Sequence, residues 1–238
     1  MTTILINTFN ERPEWLAQNI ESQLAQHGEK QIIVSTMLQD KNHDLLMQYR
    51  RRNKIEVSFC DHTKHPGHSP EGAFYQINSA LHLVRGEWFY YFSSNDYVDE
   101  MKIKNEKQRC IDTGKLICYS SFYHVDNDGK VMSKKTFPEK YDYQLHLTGN
   151  FVSDGSLVHT SLLRKYAPFQ SDKFGNYSFW DFWLRIYEGE GDVFCYSPEN
   201  AFFYRQNEEA MHAKRRKSPE KMRQGVEWYK AMLAVRKK

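Results

Sequence analysis

The chain has 238 residues, 40% hydrophobic and 26% charged, with a formal charge of +3; this fits one large globular domain and excludes a disordered or fibrous chain. So small a net charge does not point to nucleic acid, although Lys214 to Lys217 (KRRK) and Arg236 to Lys238 gather positive charge near the end. No signal-peptide pattern opens the sequence, no apolar run reaches membrane-spanning length, and Cys60, Cys110, Cys118 and Cys195 lack paired spacing, so the expectation is a cytoplasmic protein with reduced thiols rather than a disulfide framework or a zinc site.

In chain order, Thr3 to Asn7 predicts a strand, and after the turn Thr8 to Arg12 a helix begins near Pro13 with the stripe Leu16, Ile20 and Leu24. Gln31 to Thr36 predicts a second strand, Asp40 to Arg52 a second helix, and Ile55 to Phe59 a third strand. This alternation with short connections predicts right-handed crossovers onto a largely parallel sheet. A polar loop, Asp61 to Ser69, holds the string Asp61, His62, His65 and His68, but Pro66 and Gly67 break any helical face, so it reads as a loop rather than a metal site. Pro70 opens a third helix with Phe74, Ile77, Leu81 and Val84 on one side.

Trp88 to Phe92 is a run of large residues without helical spacing, which predicts an interior strand covered on both faces. Ser93, Ser94, Asn95 and Asp96 follow at its carboxyl end, where open α/β sheets bind ligands. Met101 to Thr113 predicts a helix, and Leu116 to Tyr123 a strand before the turn Asp126 to Gly129. Val131 to His146 carries no clear pattern. Phe151 to Leu163 is again apolar, Phe179 to Tyr187 predicts an aromatic helix, and Val193 to Tyr204 mixes strand signals with a turn at Pro198. Pro219 to Val235 predicts a last helix with Met222, Val226, Tyr229 and Leu233 on one face.

Four stretches carry a resemblance: ILINTFNERPEWLAQNIESQL, INSALHLVRGEWFYYFSSNDY, NFVSDGSLVHTSLLRKYAPF and FWDFWLRIYEGEGDVFCYSPENAFFYR. In this order they resemble the family 2 glycosyltransferases of GT-A fold. The resemblance implies an α/β, Rossmann-like single domain over residues 1–210, with a central, mostly parallel sheet flanked by helices. A nucleotide-sugar half, 1–100, would meet an acceptor half, 101–210, that includes a smaller antiparallel part. Residues 211–238 would form a basic C-terminal helix packed on or extending the domain, able to rest on anionic lipid and so to give peripheral membrane contact.

The same resemblance implies transfer of a sugar from a UDP-, GDP- or dTDP-sugar to a hydroxyl of a saccharide or lipid-linked acceptor, with inversion and with Mn²⁺ or Mg²⁺ at the diphosphate. Thr8, Asn10, Glu11 and Arg12 match the nucleoside loop, with Ser35 and Asp40 after the second strand. Asn78 matches the family's helix asparagine. Ile77 stands where a basic residue is frequent, which leaves a diphosphate contact missing or supplied by Arg205. Ser93, Ser94, Asn95 and Asp96 align with an Asp-x-Asp-Asp pattern depleted of two carboxylates. Ser93 would then bind ribose, and Asn95, Asp96 and His212 would hold the metal. The family's acidic pair falls around Ser178, Phe179 and Asp181, which assigns Asp181 as general base and Asp154 as runner-up.

Plainer readings stand beside these. Asp96 can cap a helix, Asp181 can pair with Arg185 one turn on, Thr8 to Arg12 can be a capped turn, and Trp180, Phe182 and Trp183 can be core. The missing carboxylates leave open a non-catalytic nucleotide-sugar or glycan-binding protein, and the basic end leaves open a nucleic-acid-binding protein.

Overall fold

The structure is a computed structural model describing residues 1–61, 70–199, 202–206 and 218–236. Its strands are β1 (Thr2–Asn7), β2 (Lys30–Met37), β3 (Glu56–Cys60), β4 (Trp88–Ser93), β5 (Tyr97–Val98), β6 (Ile117–Ser120), β7 (Phe122–Val125), β8 (Val131–Lys135), β9 (Leu157–His159), β10 (Phe194–Ser197) and β11 (Phe202–Arg205). Its helices are α1 (Pro13–Leu24), α2 (His43–Arg51), α3 (Pro70–Ala80), α4 (Lys102–Thr113), α5 (Tyr143–Thr148), α6 (Thr160–Tyr166), α7 (Ser171–Phe174), α8 (Ser178–Glu190) and α9 (Pro219–Ala234).

Seven strands form the central sheet in the order β10-β6-β9-β4-β1-β2-β3, parallel except for β9. The first expectation therefore holds: hydrophobic strands covered on both faces make a mostly parallel sheet. Along β4 the side chains alternate. Phe89 and Tyr91 join the core beneath α3 and α8, while Trp88, Tyr90 and Phe92 join the core beneath α1 and α4. Four strands, β5, β11, β7 and β8, supply a second sheet in the order β5-β11-β7-β8, in which β11 and β7 run parallel and the other pairs antiparallel.

Three local expectations are corrected. The run Leu116 to Tyr123 is two strands, because β6 pairs in the large sheet and β7 in the small one, with buried Ser121 at the switch between them. The third helix gives way at Ala80 to a 3₁₀ turn over Leu81–Leu83. On α9, Met222 and Val226 are exposed, whereas Gly225 and Met232 are buried. Tyr229 stacks on Trp180 at 5.4 Å, and the ring of Trp228 lies where a Cβ on Gly175 would stand 2.3 Å from it. Gly175 has a positive φ of 51°, so an aromatic on α9 seats against backbone that only glycine presents without strain.

Candidate active site at the carboxyl edge of the sheet

Strands β1, β2 and β4 are in register, so Asn7, Ser35 and Ser93 lie side by side at their carboxyl ends. The loop after β1 is held from outside its own sequence. Asn10 adopts a left-handed φ of 53°, its N–H donates to Asp40 Oδ2 at 3.1 Å, and its own Oδ1 accepts the Lys41 N–H at 2.9 Å. Asp40 also accepts the Thr36 hydroxyl at 2.7 Å and the Asn42 N–H at 2.8 Å. Its carboxylate is buried and occupied by the loop, which makes it a brace rather than a nucleoside contact.

Three further residues expected at the donor are engaged with protein in the same way. Ser35 is fully buried and donates to the Gln76 carbonyl at 2.9 Å, so its hydroxyl faces α3. Asn78 donates to the Phe169 carbonyl at 3.0 Å and accepts the Phe169 N–H at 2.9 Å, so both ends of its amide hold one backbone residue. Arg205 is 1% exposed. Its Nε donates to the Asn95 carbonyl at 3.0 Å, Nη1 to the carbonyls of Asp126 and Asn127, and Nη2 to Gln18 Oε1 at 2.5 Å. The guanidinium lies over Trp15, 4.9 Å from the ring centroid. A planar fork with five N–H donors suits this clasp, and the desolvation it entails lowers the arginine's own pKa.

Asp96 is 2% exposed, and its Oδ1 accepts the Arg205 backbone N–H at 2.9 Å. Burial pushes its carboxyl well above the usual range, and the negative charges of Asp154 and Glu11 add to the push, against the relief from Arg205. Asp154 sits in the turn before β9. Gly155 brings that turn onto β4, since a Cβ there would lie 2.9 Å from the Phe92 ring and 3.2 Å from Phe202. More than a third of Asp154 is open to solvent, yet the walls around it desolvate the carboxyl enough to push it up to about 6. That combination describes a carboxylate that is open to solvent yet desolvated by its neighbours. It has no hydrogen bond or ion pair among the described residues.

Asp181 is placed elsewhere. Its Oδ2 accepts Arg185 Nε at 2.8 Å and its Oδ1 accepts Arg236 Nη2 at 2.7 Å, with the carboxylate 1% exposed. Arg236 also meets Glu188 at 2.8 Å. Asp181, expected as general base, has both oxygens committed to arginines that tie α8 to the end of α9. The α8 side chain that reaches β4 is Phe179, whose ring stands 4.8 Å from that of Tyr91. Trp180, Phe182 and Trp183 are core, as the plainer reading has it.

Two residues that sequence reasoning passed over shape the edge. Tyr91 donates its hydroxyl to Asn7 Oδ1 at 2.5 Å and senses the charge of Asp154. Asn19, inside the apolar stripe of α1, donates to the Ser93 carbonyl at 2.7 Å and holds the 93–96 loop; an amide amid helical core positions was the available signal. The hydroxyl of Thr8 is buried without a hydrogen-bond partner among the described residues, a deficit of about 1–3 kcal/mol that a ligand donor or acceptor would make good. Asn10, Glu11, Ser93 and Asn95 are half-buried and Arg12 is exposed. His212, His62, His65, His68 and the KRRK run lie outside the described residues.

No protein-family model and no curated protein matches the sequence. Solved structures do match the fold. TarS 1-349 from S. aureus in complex with UDP superposes with a TM-score of 0.70 at 15% identity, over 97% of this chain and 64% of that one. The mannosyltransferase PcManGT from Pyrobaculum calidifontis, in complex with GDP-Man and Mn²⁺, gives 0.65 at 12% over 99% and 64%. Glucosyl-3-phosphoglycerate synthase from Mycobacterium tuberculosis, in complex with Mn²⁺, UDP and its product, gives 0.59 at 12% over 87% and 72%. The chain thus spans 60% to 64% of the length of TarS 1-349. At these identities the likeness is one of architecture, and this chain has the GT-A fold of the nucleotide-sugar glycosyltransferases.

Proposed function

We propose that the protein transfers a sugar from a nucleoside diphosphate donor to a hydroxyl of a saccharide or lipid-linked acceptor, with inversion, and that Asp154 is the general base. The observation that carries this reading is the solvent-open carboxyl of Asp154, without a hydrogen bond or ion pair among the described residues, close enough to Asp96 for their charges to interact and pushed up to about 6. A base titrating near 6 is ionised at neutral pH and still basic enough to take the acceptor proton as the hydroxyl attacks. Inversion needs such a base on the face of the sugar opposite the leaving diphosphate. Asp154 stands on the acceptor-side turn, while the Thr8 to Arg12 loop stands on the donor side.

The nucleoside would rest on that loop, with the orphaned Thr8 hydroxyl, Asn10, Glu11 and Arg12 as contacts and Ser93 toward the ribose. Asp40, Asn78 and Arg205 hold the loop and its neighbours in place without touching the donor. The donor set beyond β4 fits a hard divalent cation: Asn95 and Asp96 offer amide and carboxylate oxygens, and Asp96 is a buried carboxyl short of positive charge. Mn²⁺ or Mg²⁺ bound there with the diphosphate would neutralise the charge that grows on the leaving group. A protein with this donor set takes most of the cation's remaining ligands from phosphate and water.

The test is a screen of UDP-, GDP- and dTDP-sugars for thermal stabilisation, with and without Mn²⁺, followed by product analysis with saccharide acceptors. A donor that raises the unfolding temperature and is turned over supports the reading. A donor that binds tightly and is neither transferred nor hydrolysed would instead establish a nucleotide-sugar-binding protein, the role that Ser93 and Asn95 in place of carboxylates and Phe179 against Tyr91 favour.

A further inference from the structure

Three cysteines whose spacing in the sequence argues against a metal site come together in space. Cys110 lies on α4, Cys118 on β6 and Cys195 on β10, and β6 and β10 are parallel neighbours in which Cys118 and Cys195 are register partners. Both therefore face the same side of the sheet, the side α4 covers. All three are buried, and their sulfurs all lie within 4.8 Å of one another. Among the described residues this is the one group of three or more metal-ligating side chains so placed.

We propose that Cys110, Cys118 and Cys195 form a structural site for a single thiophilic d¹⁰ cation, with Zn²⁺ as the occupant. The sulfurs of Cys110 and Cys195 stand 3.9 Å apart; with zinc–sulfur bonds of about 2.3 Å, tetrahedral ligands stand roughly 3.8 Å apart. The pocket is thus already near the size of the ion. The Ile117 carbonyl, 3.3 Å from the Cys195 sulfur, is an oxygen at hand for the fourth position. Soft sulfur ligands select zinc or copper(I) over the hard cations proposed beyond β4.

Charge favours the divalent ion. Three thiolates with Zn²⁺ leave one net negative charge, and Arg109, tethered through its Nε to the Tyr196 carbonyl at 3.1 Å, lies beside Cys195 to balance it. With Cu⁺ two negative charges would remain in a buried place. Glu106, the other carboxylate near the cluster, is neutralised by its ion pair with Lys102. The bland alternative is that three thiols pack as small apolar side chains. What sets the site apart is convergence from three elements: a bound ion would pin the short edge strand β10 to β6 and both to α4. The site does not depend on sugar transfer.

A buried site is filled as the chain folds, so the experiment uses full-length protein made in cells supplemented with zinc or with cobalt and purified without chelator. One Zn²⁺ per chain, retained through desalting and worth several degrees in unfolding temperature, is the expected result. The cobalt form should show the absorption of a tetrahedral thiolate site, with sulfur-to-metal charge-transfer intensity for three sulfurs. Cys110→Ser, Cys118→Ser and Cys195→Ser should each lose the metal, and Cys60→Ser should keep it. Substoichiometric metal in both preparations overturns the proposal, as does a cobalt spectrum without sulfur ligation, a requirement for Cys60, or one Cu⁺ in place of zinc. The spectrum of the unmutated protein decides the matter even where a serine variant fails to fold.

Discussion

Asp154 and Asp181 are both acidic residues in the second half of the chain, and their surroundings give them opposite properties. Asp181 lies between two arginines with its oxygens committed, whereas Asp154 is open to solvent without an ion-pair partner among the described residues. A carboxylate with both oxygens held by guanidinium groups is a rivet; one without such partners leaves its oxygens free to meet a ligand. What decides the role is the counterion, which sequence spacing around an acid does not display.

Substitutions can break this contrast. Asp154→Asn should lower transfer by roughly 10²–10⁴-fold, the usual contribution of general base catalysis, without lowering the unfolding temperature at neutral pH, because a carboxyl whose pKa rises on folding costs the folded state stability when ionised. In the unmutated enzyme kcat/KM should fall with decreasing pH below about 6 as Asp154 takes up a proton. Loss of that limb in the variant's residual activity would confirm the assignment, and a profile identical to the parent's would remove it. Asp181→Asn should do the opposite. Leaving Arg185 and the nearly buried Arg236 without their shared partner should cost about 3–5 kcal/mol in denaturant unfolding, with activity per folded molecule retained. If Asp181→Asn instead abolishes turnover at unchanged stability, the contrast fails.

A smaller effect sharpens it. His146 is fully buried between Tyr141 and Asn150, and burial holds its pKa down to about 4. The folded state therefore keeps the ring neutral while the unfolded state takes up a proton below about 6.5. Stability is full above that pH and declines as pH falls toward 4, by up to about 3 kcal/mol. His146→Gln should flatten this slope in urea titrations at several pH values without touching the Asp154 limb of the rate profile. A further difference lies on α9: Met232→Ala should cost about 2–5 kcal/mol, but exposed Val226→Ala less than about 0.5 kcal/mol. Equal losses at the two positions would mean that the exposed face is covered in solution.

Much of the fold was legible in the sequence because burial on both faces of β4 and the 3.6-residue stripe on α1 write themselves into local composition. The split of β6 from β7 was not, since a strand that changes sheets keeps the same apolar residues. On α9 the pattern misled: the buried face is set by where Gly175 admits Trp228, a tertiary fact. In the site, the Thr8 to Arg12 loop and Asp96 could be located from their place after strands. That Asp40, Asn78 and Arg205 spend polar atoms on distant protein groups could not, because Asn10 lies 30 residues from Asp40, Phe169 lies 91 from Asn78 and Gln18 lies 187 from Arg205.

That last separation has a consequence for biosynthesis. Residues 1–100 contain the loop after β1, α1 and the 93–96 loop, but the side chain that fastens α1 to the 93–96 loop arrives only with β11. A nascent chain carries an unfastened first half until residue 205 has left the ribosome, and contacts of such range are slow to close. The carboxyl edge of the sheet should therefore take its final form in one late step, after nearly the whole domain has been made.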